Sequence, residues 1–148
     1  MLHNQQLKLE TLIKVQRLKE IILKTELQMK YQVFMTTCVK SQVNDLNRIL
    51  LDIHSSNPDY LGDGVFVSQA SSFMYPKTPF QEAVKHYGVN AFIKTVLLET
   101  TDYDKAWEFY KTILTKEVIK QAHIFNWQLP NKFPHIYLFF KNDSLKEE

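Results

Sequence analysis

The chain has 148 residues, 45% apolar and 13% aromatic, which is enough for one ordinary packed domain and too apolar for a disordered chain. Its only cysteine, Cys38, excludes an intrachain disulfide and any zinc site built from several thiolates, and three glycines with five prolines exclude collagen-like or low-complexity architectures. Net charge is +2, yet residues 1 to 30 carry an excess of three positive charges, a bias that favours phosphate without requiring it.

Residues 5 to 30 contain neither Gly nor Pro and consist mostly of strong helix formers, which predicts a helix. Glu10/Lys14, Glu20/Lys24 and Glu26/Lys30 stand four apart in the favourable Glu-to-Lys order. Leu9, Leu12, Val15, Leu18, Ile22 and Met29 fall roughly on one stripe, widened by Ile13, Ile21 and Leu23. That stripe must be covered by the domain behind it or by a partner helix, as in a homo-oligomer. A nucleic-acid-facing arm carrying Lys14, Arg17 and Lys24 is the third reading. The first residues lack the basic and apolar regions of a signal peptide, and no run reaches the ~18 to 20 apolar residues of a membrane span. The expectation is a reducing, aqueous compartment such as a cytoplasm, with no membrane partner.

Tyr31 to Thr37 is rich in β-formers and predicts a strand. Residues 39 to 47 are polar, with Asn44-Asp45 suited to a turn, and Ile49 to Ile53 supplies a second strand, giving a hairpin with a long connection. Val39, Val43, Leu46 and Leu50 also stand at helical spacing, so residues 39 to 53 fit a helix as well. Ser55 to Pro79 reads as loop. Pro79 opens a helix to about Tyr87, with Gly88 as its C-terminal cap and Lys85 and His86 in its last turn. Phe92 to Leu98 predicts a central strand, and Thr101 to Asp104 opens a helix that carries Trp107, Phe109 and Tyr110 and continues or restarts through Val118. Pro134 to Phe140 reads as one more strand. The class is α+β: a charged amphipathic helix over 1–30, a small central antiparallel sheet flanked by helices over 31–130, and a C-terminal strand with a charged tail over 131–148.

One stretch points further. Tyr60-Leu61-Gly62-Asp63-Gly64, followed by Phe80 to Phe92, resembles the "YLGSG … AIKKYGIENF" stretch of phage-encoded GIY-YIG homing endonucleases, with an insertion at about 65 to 79. Val33 to Cys38 is similar to the strand of their first motif, and Leu50 to Ser56 falls where "YIGKHSS" stands. Val96 to Glu99 resembles the family's central strand, Tyr110 to Ile119 its glutamate helix, and Ile124-Phe125-Asn126 the "YN" that closes the nuclease core. The resemblance covers residues 31 to about 127 in collinear order. It implies a GIY-YIG-like fold, a phage or mobile-element setting, and a site that cleaves phosphodiesters with a divalent metal.

Matched position by position, that site is altered. Phe34 stands at the first-motif tyrosine, Leu50 at the second-motif tyrosine, Asp52 at its glycine and Tyr110 at the metal-binding glutamate, while His54 and Asn126 keep polar family positions. Two hydroxyls and the metal carboxylate are lost, so no catalysis, metal or cofactor is expected. The resemblance then implies an inactive nuclease-like domain binding DNA, through the first helix together with Lys85 and Lys94, or binding a protein. The alternative is an active nuclease with Mg²⁺ on Glu108 or Glu117 and His54 as base, although Glu108 lies about 200° around the helix from Tyr110. A purely structural role through the first helix is a third reading. Ordinary explanations stand beside these: His54 as a hydrogen-bonded surface histidine, the aromatics of the last helix and Phe125 as core, and Asp59 and Asp63, which flank a glycine-containing turn and could bind a cation, as solvated loop residues. No Walker A, GxGxxG, HExxH or serine-nucleophile pattern is present.

Overall fold

The computed structural model describes residues 2–72 and 75–131. In chain order the elements are α1 (Leu2–Gln28), β1 (Tyr31–Val43), β2 (Leu46–Ser55), β3 (Tyr60–Gly62), β4 (Val65–Phe66), a 3₁₀ segment (Val67–Ser72), α2 (Pro79–Tyr87), a 3₁₀ turn (Val89–Ala91), β5 (Phe92–Thr100), α3 (Tyr103–Ile113) and α4 (Lys116–Ile119). The class is α+β: the described residues form four α-helices, a three-stranded antiparallel sheet in the order β2-β1-β5 and a two-stranded β3-β4 sheet. The expected C-terminal strand, 134 to 140, lies outside the described residues.

The hairpin is longer and tighter than expected. β1 runs to Val43 and β2 starts at Leu46, so Asn44-Asp45 alone makes the turn, both with positive φ (54° and 65°). Asn and Asp are the residues that tolerate that region best, which is the chemistry of a two-residue hairpin. The helical reading of 39 to 53 is overturned, because cross-strand pairing such as Val33↔Ile53 and Val43↔Leu46 outweighs a spacing that fits either period.

β1, not the Phe92 segment, is the central strand. Val33 and Phe34 point to opposite faces and both have 0% exposure. One face, with Tyr31, Val33 and Leu51, packs on Tyr103, Ala106, Trp107, Tyr110 and Leu114 of the α3 region. The other packs Cys38 and Leu50 on Leu61, Val65, Phe80, Val84 and Phe125, and a neighbouring cluster holds Phe34, Tyr60 and Phe66. β5 is an end strand, distorted between the pairs Val33↔Leu98 and Phe34↔Val96, and its middle is exposed.

The helix ends follow from their caps. Thr78 Oγ1 accepts from Gln81 N–H (3.1 Å), Pro79 takes the first turn, and Gly88 with φ 81° ends α2. Asp102 caps α3 through the amides of Asp104 and Lys105. At Gly62, φ is +118°, and a Cβ there would stand 2.6 Å from Leu50 Cδ2 and 3.3 Å from Phe34. Gly62→Ala is therefore expected to cost about 1–3 kcal/mol, read as a lower urea midpoint at unchanged m-value. An unshifted midpoint would mean that Leu50 yields without cost.

α1 departs from expectation. Every residue from 4 to 24 is exposed, and Leu7, Leu9, Leu12, Ile13, Val15, Leu18, Ile21, Ile22 and Leu23 are each 42–65% exposed, so the helix does not dock on its own domain. Nor do these side chains form one stripe. At about 100° per residue, Leu9 and Leu18 lie on opposite sides of the helix. Lys30, beyond the helix, places its ammonium 3.7 Å from Glu99.

Candidate functional site

A pocket of about 290 Å³ opens along the outer edge of β2, walled on one side by α3 and closed by residues 125–131. Alternation along β2 puts Leu50, Asp52 and His54 on one face. The Gly62-Asp63-Gly64 turn is pulled against that face by the cap of α2. Thr78 donates its hydroxyl to Asp63 Oδ2, and Gln81 Nε2 donates to the Asp63 carbonyl (2.8 Å). Asp63 N–H in turn donates to Asp52 Oδ2 (2.9 Å), so the backbone of the turn is held against the Asp52 carboxylate.

Tyr60 anchors them. Its hydroxyl accepts from Gly64 N–H (2.9 Å) and donates to Asp52 Oδ2 (3.4 Å), while its ring stacks on His54 at 3.9 Å. Burial first, then the negative charge of Asp52, pushes the Tyr60 phenol well above its ordinary value, so it stays a neutral donor. Asp52 Oδ1 accepts from Ile53 N–H (2.8 Å). His54 is not the surface histidine expected: the Tyr60 ring covers it and it is buried beside Ser55, with Nδ1 3.2 Å from both the carbonyl oxygen and the hydroxyl of that residue.

Four of the five family-equivalent positions line this pocket: Leu50, His54, Tyr110 and Asn126. Two of them are tied to the backbone. Asn126 accepts from Leu51 N–H (2.9 Å) and donates to the Leu51 carbonyl (2.7 Å), which also accepts from the Tyr110 hydroxyl (3.2 Å). Burial, reinforced by the charges of Asp52 and Asp63, holds the Tyr110 phenol far above its ordinary range. The fifth, Phe34, lies outside the pocket and packs edge-on against Tyr60 at 6.0 Å. Comparisons with protein-family models, curated proteins and solved structures returned no match to this chain.

The acids of the nuclease alternative lie elsewhere. Glu108 is exposed and pairs with Lys111 at 3.0 Å, and Glu117 is exposed on α4; neither lines the pocket. The donor set also does not fit Mg²⁺. Asp52 and Asp63 are the only carboxylates among its lining residues, and among the described residues no three His, Cys, Asp or Glu side chains are grouped to hold a metal.

The basic candidates divide similarly. Lys14, Arg17 and Lys24 are exposed on α1 within an arc of about 80°, and Lys85 is exposed on α2. Lys94 is committed inward: its ammonium donates to the Asn57 carbonyl (3.0 Å) and sits 4.3 Å over the Phe34 ring. Burial lowers its pKa to about 8, against the opposing pull of Asp52 and Glu99.

Trp107, Tyr110 and Phe125 are core residues, as their ordinary reading held, and also form the pocket wall. Sequence reasoning missed Asp52 and Asp63 as a pair, and Tyr60. A carboxylate interrupting the apolar run Leu50 to Ile53 was the available signal. Among the described residues no helix is long and apolar enough to cross a membrane.

Proposed function

We propose that this chain is a non-catalytic binding module on a GIY-YIG-like scaffold, acting through contact with another protein. The observation that carries this reading is Tyr110. At the position where the resembled family needs a metal carboxylate stands a buried phenol spent on the Leu51 carbonyl, and Glu108 faces away. With no carboxylate ligand for a metal there and no tyrosine at Phe34 or Leu50, the groups by which the resembled family activates water are missing. Incubation with supercoiled plasmid and Mg²⁺ or Mn²⁺ is expected to leave the plasmid intact. Nicking abolished by Glu108→Ala or Glu117→Ala would overturn the proposal.

The choice of protein over nucleic acid rests on α1. Its exposed apolar side chains lie on all sides, as on helices that are enclosed by other helices. The basic arc of Lys14, Arg17 and Lys24 supports a second reading, DNA held electrostatically. Salt separates them. A DNA complex neutralising Z phosphates loses affinity with a slope near −0.9Z on logarithmic axes, whereas apolar association responds little. Duplex binding that is absent, or flat with salt, is expected. Deleting residues 1–28 removes α1 and keeps Met29, which packs against the Tyr31 cluster; if the full and the shortened chain have the same number of subunits in solution, self-association through α1 is excluded.

A further inference from the structure

The pocket beside β2 has a composition opposite to that of a phosphate site. Asp52 and Asp63 are among its lining residues, Thr78 taking one oxygen of Asp63, and among the described residues no lysine or arginine lines it. Its walls are aromatic: Tyr103, Trp107 and Tyr110 come from α3, and Trp127, 60% exposed, stands at the rim. Phosphate would meet two negative charges and no counter-charge. A cation there would lie beside two acidic residues and a wall of aromatic ones, and cation–π attraction strengthens where water is excluded.

Size and shape narrow the ligand. A volume of about 290 Å³ is at the small end for ligand pockets, suited to one side chain rather than a nucleotide. A guanidinium is flat, weakly hydrated, stacks on aromatic rings and pairs edge-on with carboxylates, whereas an ammonium is compact and strongly hydrated. We infer that this pocket binds a guanidinium, the arginine side chain of a partner protein, between the aromatic wall of α3 and the carboxylates of Asp52 and Asp63. The inference deepens the protein-binding proposal and rests on it.

The chain has two tryptophans, Trp107 and Trp127, and both line the pocket, so intrinsic fluorescence reports its occupancy. The full chain is titrated with N-acetylargininamide, with its neutral isostere N-acetylcitrullinamide, and with inorganic phosphate. A saturable change with the arginine compound, at a Kd of about 1 mM or tighter, and none with the citrulline compound, is expected. Asp63→Asn, which keeps a residue tolerant of the positive φ at that turn, is expected to weaken binding about tenfold. Asp52→Asn supplies an independent readout, and Glu108→Gln, on an exposed helix face outside the pocket, leaves the affinity unchanged. Equal response to the citrulline compound, or no response to either, overturns the guanidinium site while leaving association through α1 standing. Saturable binding of phosphate in the pocket overturns both this site and the non-catalytic reading.

Discussion

Phe34→Ala is expected to lower the unfolding free energy by about 3–5 kcal/mol, measured as a shift of the urea midpoint at constant m-value. Phe34 has 0% exposure on the central strand, its ring meets Tyr60 edge-on, and the Lys94 ammonium lies over its face. Truncation leaves a cavity under a half-buried cation and removes one wall of the Tyr60 ring that positions Asp52. Against a total stability of roughly 5–15 kcal/mol, a loss of this size leaves a substantial unfolded fraction at modest denaturant. Restoring the family hydroxyl with Phe34→Tyr is expected to destabilise too, by about 1–3 kcal/mol, because a phenol is placed where the ring has no exposure. A Phe34→Tyr chain that was both more stable and able to cleave plasmid would contradict the proposed function.

The chain is also expected to lose stability steeply above pH ~10. Burial holds Tyr60 and Tyr110 neutral beyond the pH at which tyrosines of the unfolded chain ionise. Their contribution is complete below the unfolded value and falls as pH rises toward the folded values, since the unfolded chain then binds fewer protons. Each group gives a slope of about 1.4 kcal/mol per pH unit, so the two together approach about 2.7. Lys94 acts in the opposite sense. Its folded pKa is lowered to about 8, so between there and the ordinary lysine value the unfolded chain binds more protons and stability rises with pH. That rise is small, because the ammonium is only half-buried and screened by solvent. Urea midpoints taken at steps from pH ~8 to ~11 should rise slightly and then drop. Tyr110→Phe should reduce the final slope to that of one group, and a profile flat to the end of the range would show that the phenols ionise in place.

Local chemistry made much of the framework legible. Pro79, Gly88 and Asp102 announced the ends of α2 and the start of α3, and Asn44-Asp45 announced the hairpin turn, because each signal is complete within a few residues. The central position of β1 was hidden, since two covered faces give an apolar run like that of the Phe92 segment. The true edge status of β5 depends on what does not pack against it. The pocket was half visible. The resemblance gathered Leu50, His54, Tyr110 and Asn126, which do meet, together with Phe34, which shares the sheet face of Leu50 and Asp52 but lies behind Tyr60, outside the pocket. Asp52 and Asp63 are eleven residues apart, and only the hydrogen bond from Asp63 N–H reveals them as a pair. On α1 a spacing of three, from Leu9 to Ile21, looks like a stripe when written in a line but winds around the cylinder.

The Asn126 amide gives the sheet two unlike margins. Along β2, Ile49 exchanges backbone bonds with His123 and Phe125, Leu51 has both its groups met by Asn126, and Ile53 N–H is taken by Asp52. A side chain and a short return of the polypeptide thus imitate a missing fourth strand and silence that border as a template. β5 ends the sheet on the other side, with no described strand beyond it. Among the described residues β5 is thus the margin at which an extended peptide could lengthen the sheet, whether by recruitment or incipient fibril growth, and such a strand would leave the pocket's mouth uncovered.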